Sequence, residues 1–141
     1  MASIGATTGP TTDRRRADVE LRLPADGAFA SVLRTTTAGL AARLDFPIDD
    51  IEDLRMAVGE ASAVVLTQAV SGSDLVSRFY QQPGELTVSM TVAVPGAVQL
   101  DQDSFAWQVL TTLASQAEAS TTDTELTVTL TMVSSHQELG H

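Results

Sequence analysis

The chain has 141 residues, which at roughly 100–200 residues per domain makes one domain with room for a buried core and excludes a multi-domain reading. It has 43% hydrophobic, 4% aromatic and 18% charged residues and no cysteine, so the core must be aliphatic, and disulfide scaffolds, thiolate zinc sites and thiol nucleophiles are excluded. Its net charge is −10, and its eight cations are all arginine. Such a chain is repelled by nucleic acid and by anionic membrane, which makes a protein with a basic surface the expected partner. No window of about 18 apolar residues reads as a membrane span, and no basic start with an apolar run reads as a secretory signal. A cytoplasmic location is expected.

Residues 1–15 lack apolar periodicity and are expected to form a disordered tail. A folded domain is expected over 16–134, and a short tail over 135–141. Val19, Leu21 and Leu23 alternate with charged residues, predicting a half-buried strand over 17–23 that Pro24 ends. Phe29, Val32, Leu33, Leu40 and Leu44 have helical spacing and predict a helix over 28–44, stopped by Asp45-Phe46-Pro47. Asp49 with Glu52 spells a capping box for a second helix over 50–69, with Asp49, Asp50, Glu52 and Asp53 at its positive dipole end.

A strand is expected at 75–81, a turn at Gln82-Pro83-Gly84, and a strand over 86–94 whose Leu86, Val88, Met90 and Val92 alternate with small polar residues. Asp103 is the expected cap of a third helix over 104–117, with Phe105 and Val109 in its apolar arc. Leu126, Val128, Leu130 and Met132 alternate with threonines in a last strand over 125–133. Threonine-decorated faces leave one side of the sheet wet. The expected fold is therefore a two-layer α/β sandwich, a mixed, mostly antiparallel sheet with helices on one face.

On the second helix, Ile51, Leu54, Arg55, Val58, Ala61, Ser62 and Val65 form the expected core stripe. Glu60 lies opposite, among Met56, Ala57, Ala63, Val64 and Thr67. There it is either an exposed carboxylate contributing solubility or one held at a groove as a general base. Phe105 and Trp107 read as core residues. His136 and His141 lack a third ligand, so no metal site is expected, and no histidine is placed for a hydrolytic triad.

The run Asp49-Asp50-Ile51-Glu52-Asp53-Leu54-Arg55-Met56-Ala57-Val58-Gly59-Glu60-Ala61 resembles the catalytic-glutamate helix of the RsbW and SpoIIAB type anti-sigma factors, which have the GHKL ATPase fold. The run from Asp103 to Ala114 is similar to a helix of actinobacterial members, and the element order agrees over 17–133. The resemblance implies an anti-sigma factor that sequesters an alternative sigma factor, is countered by a STAS-domain anti-anti-sigma factor, and forms a homodimer. Direct nucleic-acid or membrane binding is not expected.

Several positions depart from the family's nucleotide site. Val64 stands where kinase members have a magnesium-binding asparagine. Of the first glycine box only Gly96 remains, without its aspartate, and Ser104-Phe105-Ala106-Trp107 replaces the second. Glu60 is then expected to be a vestigial general base, and no cofactor is expected, ATP and magnesium being disfavoured.

Two further readings stay open. One is an ATP-dependent serine kinase acting on the anti-anti-sigma factor, with Glu60 as base. The other is an effector module for a ligand such as a cyclic dinucleotide, suggested by the R-x-x-D string of Arg15 and Asp18, which also reads as a solvated hinge. The expected partner surface is the exposed face of the first two helices, with Arg34, Arg43, Asp49, Asp50 and Asp53.

Overall fold

The computed structural model describes residues 15–135; most of the expected N-terminal tail, Arg14 and both histidines lie outside them. Among the described residues, β1 (Val19–Pro24), α1 (Ala30–Arg43), α2 (Ile48–Leu66), β2 (Asp74–Gln82), β3 (Glu85–Ala93), α3 (Phe105–Leu113), β4 (Gln116–Thr121) and β5 (Glu125–Val133) follow in that order, with one 3-10 turn before α1. The strands form one sheet in the order β1-β2-β3-β5-β4. Every pairing in it is antiparallel, which corrects the expectation of a mixed sheet. The chain reverses by hairpins at β2–β3 and β4–β5 and by the α1–α2 pair between β1 and β2, and α3 carries it from β3 to the edge strand β4, which runs parallel to β3 with β5 between them, so no two neighbouring strands are parallel.

The strand pattern follows the period of two. Leu86, Val88, Met90 and Val92 of β3 and Leu126, Val128, Leu130 and Met132 of β5 are buried. The intervening threonines face the other way, with Thr87 against Thr131 at 3.2 Å and Thr91 against Thr127 at 2.8 Å. A slip of one residue would expose the whole apolar set, so register is strongly fixed. α2 packs on β3 and β5, and α1 and α3 pack against α2. No helix among the described residues is long and apolar enough to cross a membrane.

Helix ends depart from expectation. α2 begins at Ile48, with Pro47 at its N-cap and no side-chain cap, so Asp49 sits inside the first turn and the capping box does not form. Pro47 has a pre-set φ of −59°, and its carbonyl accepts from Ile51 N–H at 3.1 Å, starting the helix early. For α3 the cap is Ser104, whose hydroxyl accepts from Trp107 N–H at 3.2 Å, and not Asp103. α1 stops as expected: Asp45 takes φ 63°, and Asp45 N–H and Phe46 N–H return to the carbonyls of Ala42 and Ala41, a Schellman closure with Phe46 buried.

β4 is absent from the sequence reading, which carried α3 on to 117. Ala114 is already extended, with ψ 157°, and Ala117 and Ala119 lie opposite Leu130 and Val128. Pairing with β5 overrides the helix preference of a short alanine-containing segment.

Candidate interaction groove on the helical layer

Glu60 is exposed on the flank of an open groove of about 360 Å³ between the three helices. α1 contributes Arg34, α2 contributes Met56, Gly59 and Glu60, and α3 contributes Phe105, Val109 and Leu113. The spacings explain the assembly. Met56, Gly59 and Glu60 are neighbours one turn apart on α2, and Phe105, Val109 and Leu113 recur every fourth residue on α3. Gly59 sets the width: a Cβ there would lie 3.3 Å from Arg34 Cδ, so the bare backbone lets the arginine stem lie across α2.

The walls are apolar and open. Phe105 is 81% exposed and Met56 56% exposed, whereas Trp107, two residues on, is only 7% exposed. The expectation that Phe105 belongs to the core is thus corrected, and that for Trp107 holds. α3 has nine residues and seats Trp107 and Leu110 against the core; Phe105, about 200° around the axis from Trp107, is left outside. Among the described residues no carboxylate lies within ion-pair distance of Arg34. The groove therefore pairs apolar area with one free cation and one free anion.

The other sequence-derived residues are not brought into this groove. Asp50 accepts from the backbone N–H and the hydroxyl of Ser135, at 2.7 and 2.9 Å. It ties the end of the described chain to the start of α2, which corrects its assignment as a free partner-facing charge. Arg43 and Asp49 are exposed and Asp53 is half-buried. Arg55, expected in the core stripe, is half out of the protein and pairs with Glu52 at 3.3 Å; Ala57 is buried in its stead.

Arg15 pairs with Asp18 at 3.6 Å and donates to the Gln81 carbonyl at 3.2 Å, and its guanidinium lies 5.5 Å from the centre of the Tyr80 ring. Asp18 accepts from Gln81 N–H at 2.7 Å. These contacts lengthen the β1–β2 pairing.

A magnesium-bound triphosphate needs several oxygen donors and a backbone cradle that approaches the phosphates closely. The groove offers one carboxylate. Val64, half-buried one turn beyond Glu60, has no oxygen to add, and the start of α3 presents the exposed Phe105 ring. Gly96 does not line the groove, takes no positive φ, and would carry a Cβ with nothing within 4 Å. Among the described residues no cluster of acidic or histidine side chains could hold a metal ion. The residues present do not fit that group.

No protein-family model matches the chain. Over 70 residues it is 31% identical to the serine-protein kinase RsbW of Bacillus cereus strain B4264, an alignment covering 50% of this chain and 38% of that protein. It is 37% identical over 51 residues to the serine-protein kinase RsbW of Bacillus thuringiensis strain Al Hakam, covering 36% of this chain and 32% of the relative. Its fold superposes, with a TM-score of 0.64 and 19% identity, on a solved Mycobacterium tuberculosis chain containing RsbU and RsbW domains, over 82% of this chain and 32% of that one. The chain is RsbW-like. The shared antiparallel sheet with its helical layer is the GHKL-type α/β architecture expected from the resemblance. The chain spans less than two-fifths of the length of the curated relatives it matches.

Sequence reasoning placed Glu60 and Met56 on this surface but missed Phe105 as a groove wall. The repeat of Phe105, Val109 and Leu113 was the available signal. It does not say which end of such a stripe runs out of the core.

Proposed function

We propose that this protein is a cytoplasmic anti-sigma factor that sequesters an alternative sigma factor by protein docking, and that a STAS-domain antagonist releases it. The observation that carries the proposal is Phe105, 81% exposed at the rim of an apolar groove, beside one cation and one anion free to pair across an interface. An aromatic anchor with an arginine close by is the composition of an interface centre. The rim would be Arg43, Asp49 and Asp53, and the net charge of −10 would steer a basic partner and speed its association more than it tightens the complex. The RsbW likeness supplies the class of partner.

A second reading is kept because one observation favours it: Glu60 is accessible at the groove mouth, and the relatives are named serine-protein kinases. Calorimetric titration separates the two. The first reading expects a sigma factor co-purified from native cytoplasm to bind without nucleotide, with loss of binding in Phe105→Asp and only the modest weakening of one exposed pair, about 1 kcal/mol or less, in Glu60→Gln. Transfer of phosphate from ATP and magnesium to a STAS-domain protein, abolished by Glu60→Gln, would establish the kinase reading in its place. An effector role for Arg15 and Asp18 would require a cyclic dinucleotide to bind and to break their contacts with β2.

A further inference from the structure

From Phe79 onward the chain carries no arginine or lysine. The strand order β1-β2-β3-β5-β4 therefore puts Arg22 and Arg78 at the β1–β2 side of the sheet and leaves the β4 side to carboxylates. Glu118 is on β4, Asp123 in its turn to β5, Glu125 at the start of β5, and Asp101 and Asp103 in the loop beside β4. Among the described residues none of the five pairs with a cation. Glu118 accepts from Gln116 Nε2 at 2.7 Å, and its other oxygen is left to solvent or a partner.

The same strand has backbone groups to offer. Thr122 N–H donates to the Glu125 carbonyl at 2.8 Å, and the β4–β5 register runs on from Thr121 opposite Leu126 to Gln116 opposite Thr131. Residues facing the neighbouring strand alternate along an antiparallel ladder, so Gln116, Glu118 and Ser120 bond to β5. The amides and carbonyls of Ala117, Ala119 and Thr121 point out of the edge. At the opposite edge Ala25 N–H donates to the Ser73 carbonyl, and the same parity turns Glu20, Arg22 and Pro24 outwards, where mixed charge and a proline hinder pairing. On the helix side of β4 an open notch of about 290 Å³ is bounded by Ala119 and Thr121 and walled by Val98, Gln99, Leu100 and Gln102.

We propose that the β4 edge receives an extended, cation-bearing segment of another protein as a sixth strand, with one of its side chains in the notch. Strand addition takes its affinity from main-chain hydrogen bonds and its specificity from alternate side chains. Here the residue opposite Ala119 exchanges two hydrogen bonds with it, in the more stable antiparallel sense, and sends its side chain into the notch. Val98 and Leu100 with the amides of Gln99 and Gln102 suit an apolar body with a polar tip, such as tyrosine. The flanking residues project on the other face, one of them opposite Glu118, and a cation there meets the free carboxylate oxygen. An acidic strand would set like charges side by side. The notch shares no lining residue with the helical groove, and the proposal does not rest on the sigma-factor reading.

The probe is the peptide Arg-Val-Arg-Tyr-Arg-Val-Arg, acetylated and amidated, which centres tyrosine on Ala119 and places arginines opposite Glu118 and Ser120. Added to the full chain at low salt, it should slow hydrogen exchange of the Ala117, Ala119 and Thr121 amides by about tenfold or more. Raising salt from about 20 to 300 mM should weaken binding by about tenfold or more. Glu118→Gln should weaken it by up to about fivefold. Ala119→Pro should weaken it by about tenfold or more, while the pairing with β5 survives because the lost N–H points out of the edge.

Methylation of the peptide backbone separates strand addition from simple charge attraction without changing the protein. A methyl on the tyrosine nitrogen removes the donor to the Ala119 carbonyl and should abolish binding. A methyl on the nitrogen of the next arginine, which points away from β4, should leave affinity within about twofold. Equal loss from both, equal binding of the peptide with glutamate in place of arginine, or no binding up to about 1 mM peptide would overturn the proposal. So would protection centred on β1 or on the groove. Protection of the β4 amides in the chain alone, growing with protein concentration, would mark a second copy as the occupant and would overturn it too.

Discussion

Phe105→Ala separates the groove's role in folding from its role in binding. Full burial of a phenylalanine side chain is worth about 1.5–3 kcal/mol. At 81% exposure only the remaining fifth is invested in the fold, so truncation should cost about 0.3–0.6 kcal/mol of stability. The larger share, about 1.2–2.4 kcal/mol, becomes available when a partner covers the ring. Its loss should raise the Kd for the proposed sigma-factor partner roughly sevenfold to fiftyfold. Trp107→Ala is the internal control, because a residue 7% exposed on the same helix should lose about 3–5 kcal/mol of stability on truncation. Urea unfolding read by circular dichroism gives the stabilities, and calorimetric titration gives the affinities. A Phe105→Ala stability loss above about 1.5 kcal/mol would mean that the ring is part of the core. An affinity unchanged within about twofold would place the docking surface elsewhere.

Ser77 is fully buried in β2, and its hydroxyl has no hydrogen-bond partner among the described residues, so Ser77→Ala should raise stability by about 1 kcal/mol, seen as a higher urea midpoint at constant slope. Asp50→Ala removes the acceptor of both Ser135 hydrogen bonds; in this part-buried site it should cost about 1–2 kcal/mol and release the Ser135 amide to hydrogen exchange. Gly39 lies inside α1 with nothing within 4 Å of an added Cβ, so Gly39→Ala should stabilise by about 0.5–1 kcal/mol. At Gly59 the same change must displace Arg34, so its gain in thermal midpoint should be smaller.

The fold was legible where one periodicity covered a whole element. β3 and β5 alternate without a break, and only one face of each can bury Leu86 to Val92 and Leu126 to Met132, so the buried face of each strand could be read from the sequence, whereas their pairing is seen only in the sheet. Ends were less legible, because a cap is decided by which of several oxygens reaches an amide. Asp49 and Asp103 had suitable chemistry, yet Pro47 and Ser104 took the cap positions. β4 was illegible for a different reason. Gln116–Thr121 has small side chains and no strong period of either kind, so its state is set by the open flank of β5, a fact of the sheet and not of the segment.

The site divides in the same way. That Val64 offers no oxygen and that the glycine boxes are gone can be read from residue types alone, because a missing donor needs no geometry. What the surface presents in their place cannot be read so. Phe105 and Trp107 differ by two positions on one short helix, yet one is outside the core and the other within it, because α3 crosses α2 with only its Trp107 and Leu110 side inwards. Likewise Asp50 and Asp53 look interchangeable in sequence, yet only Asp50 meets Ser135, from the far end of the domain. Charge reversal at Asp50 would therefore confound docking with stability. An interface test on the acidic end of α2 must use Asp49 and Asp53, where changing both to Arg should slow association with the proposed sigma-factor partner at low salt, while stability falls only by the roughly 0.3–1 kcal/mol that an acidic residue in the first turn contributes.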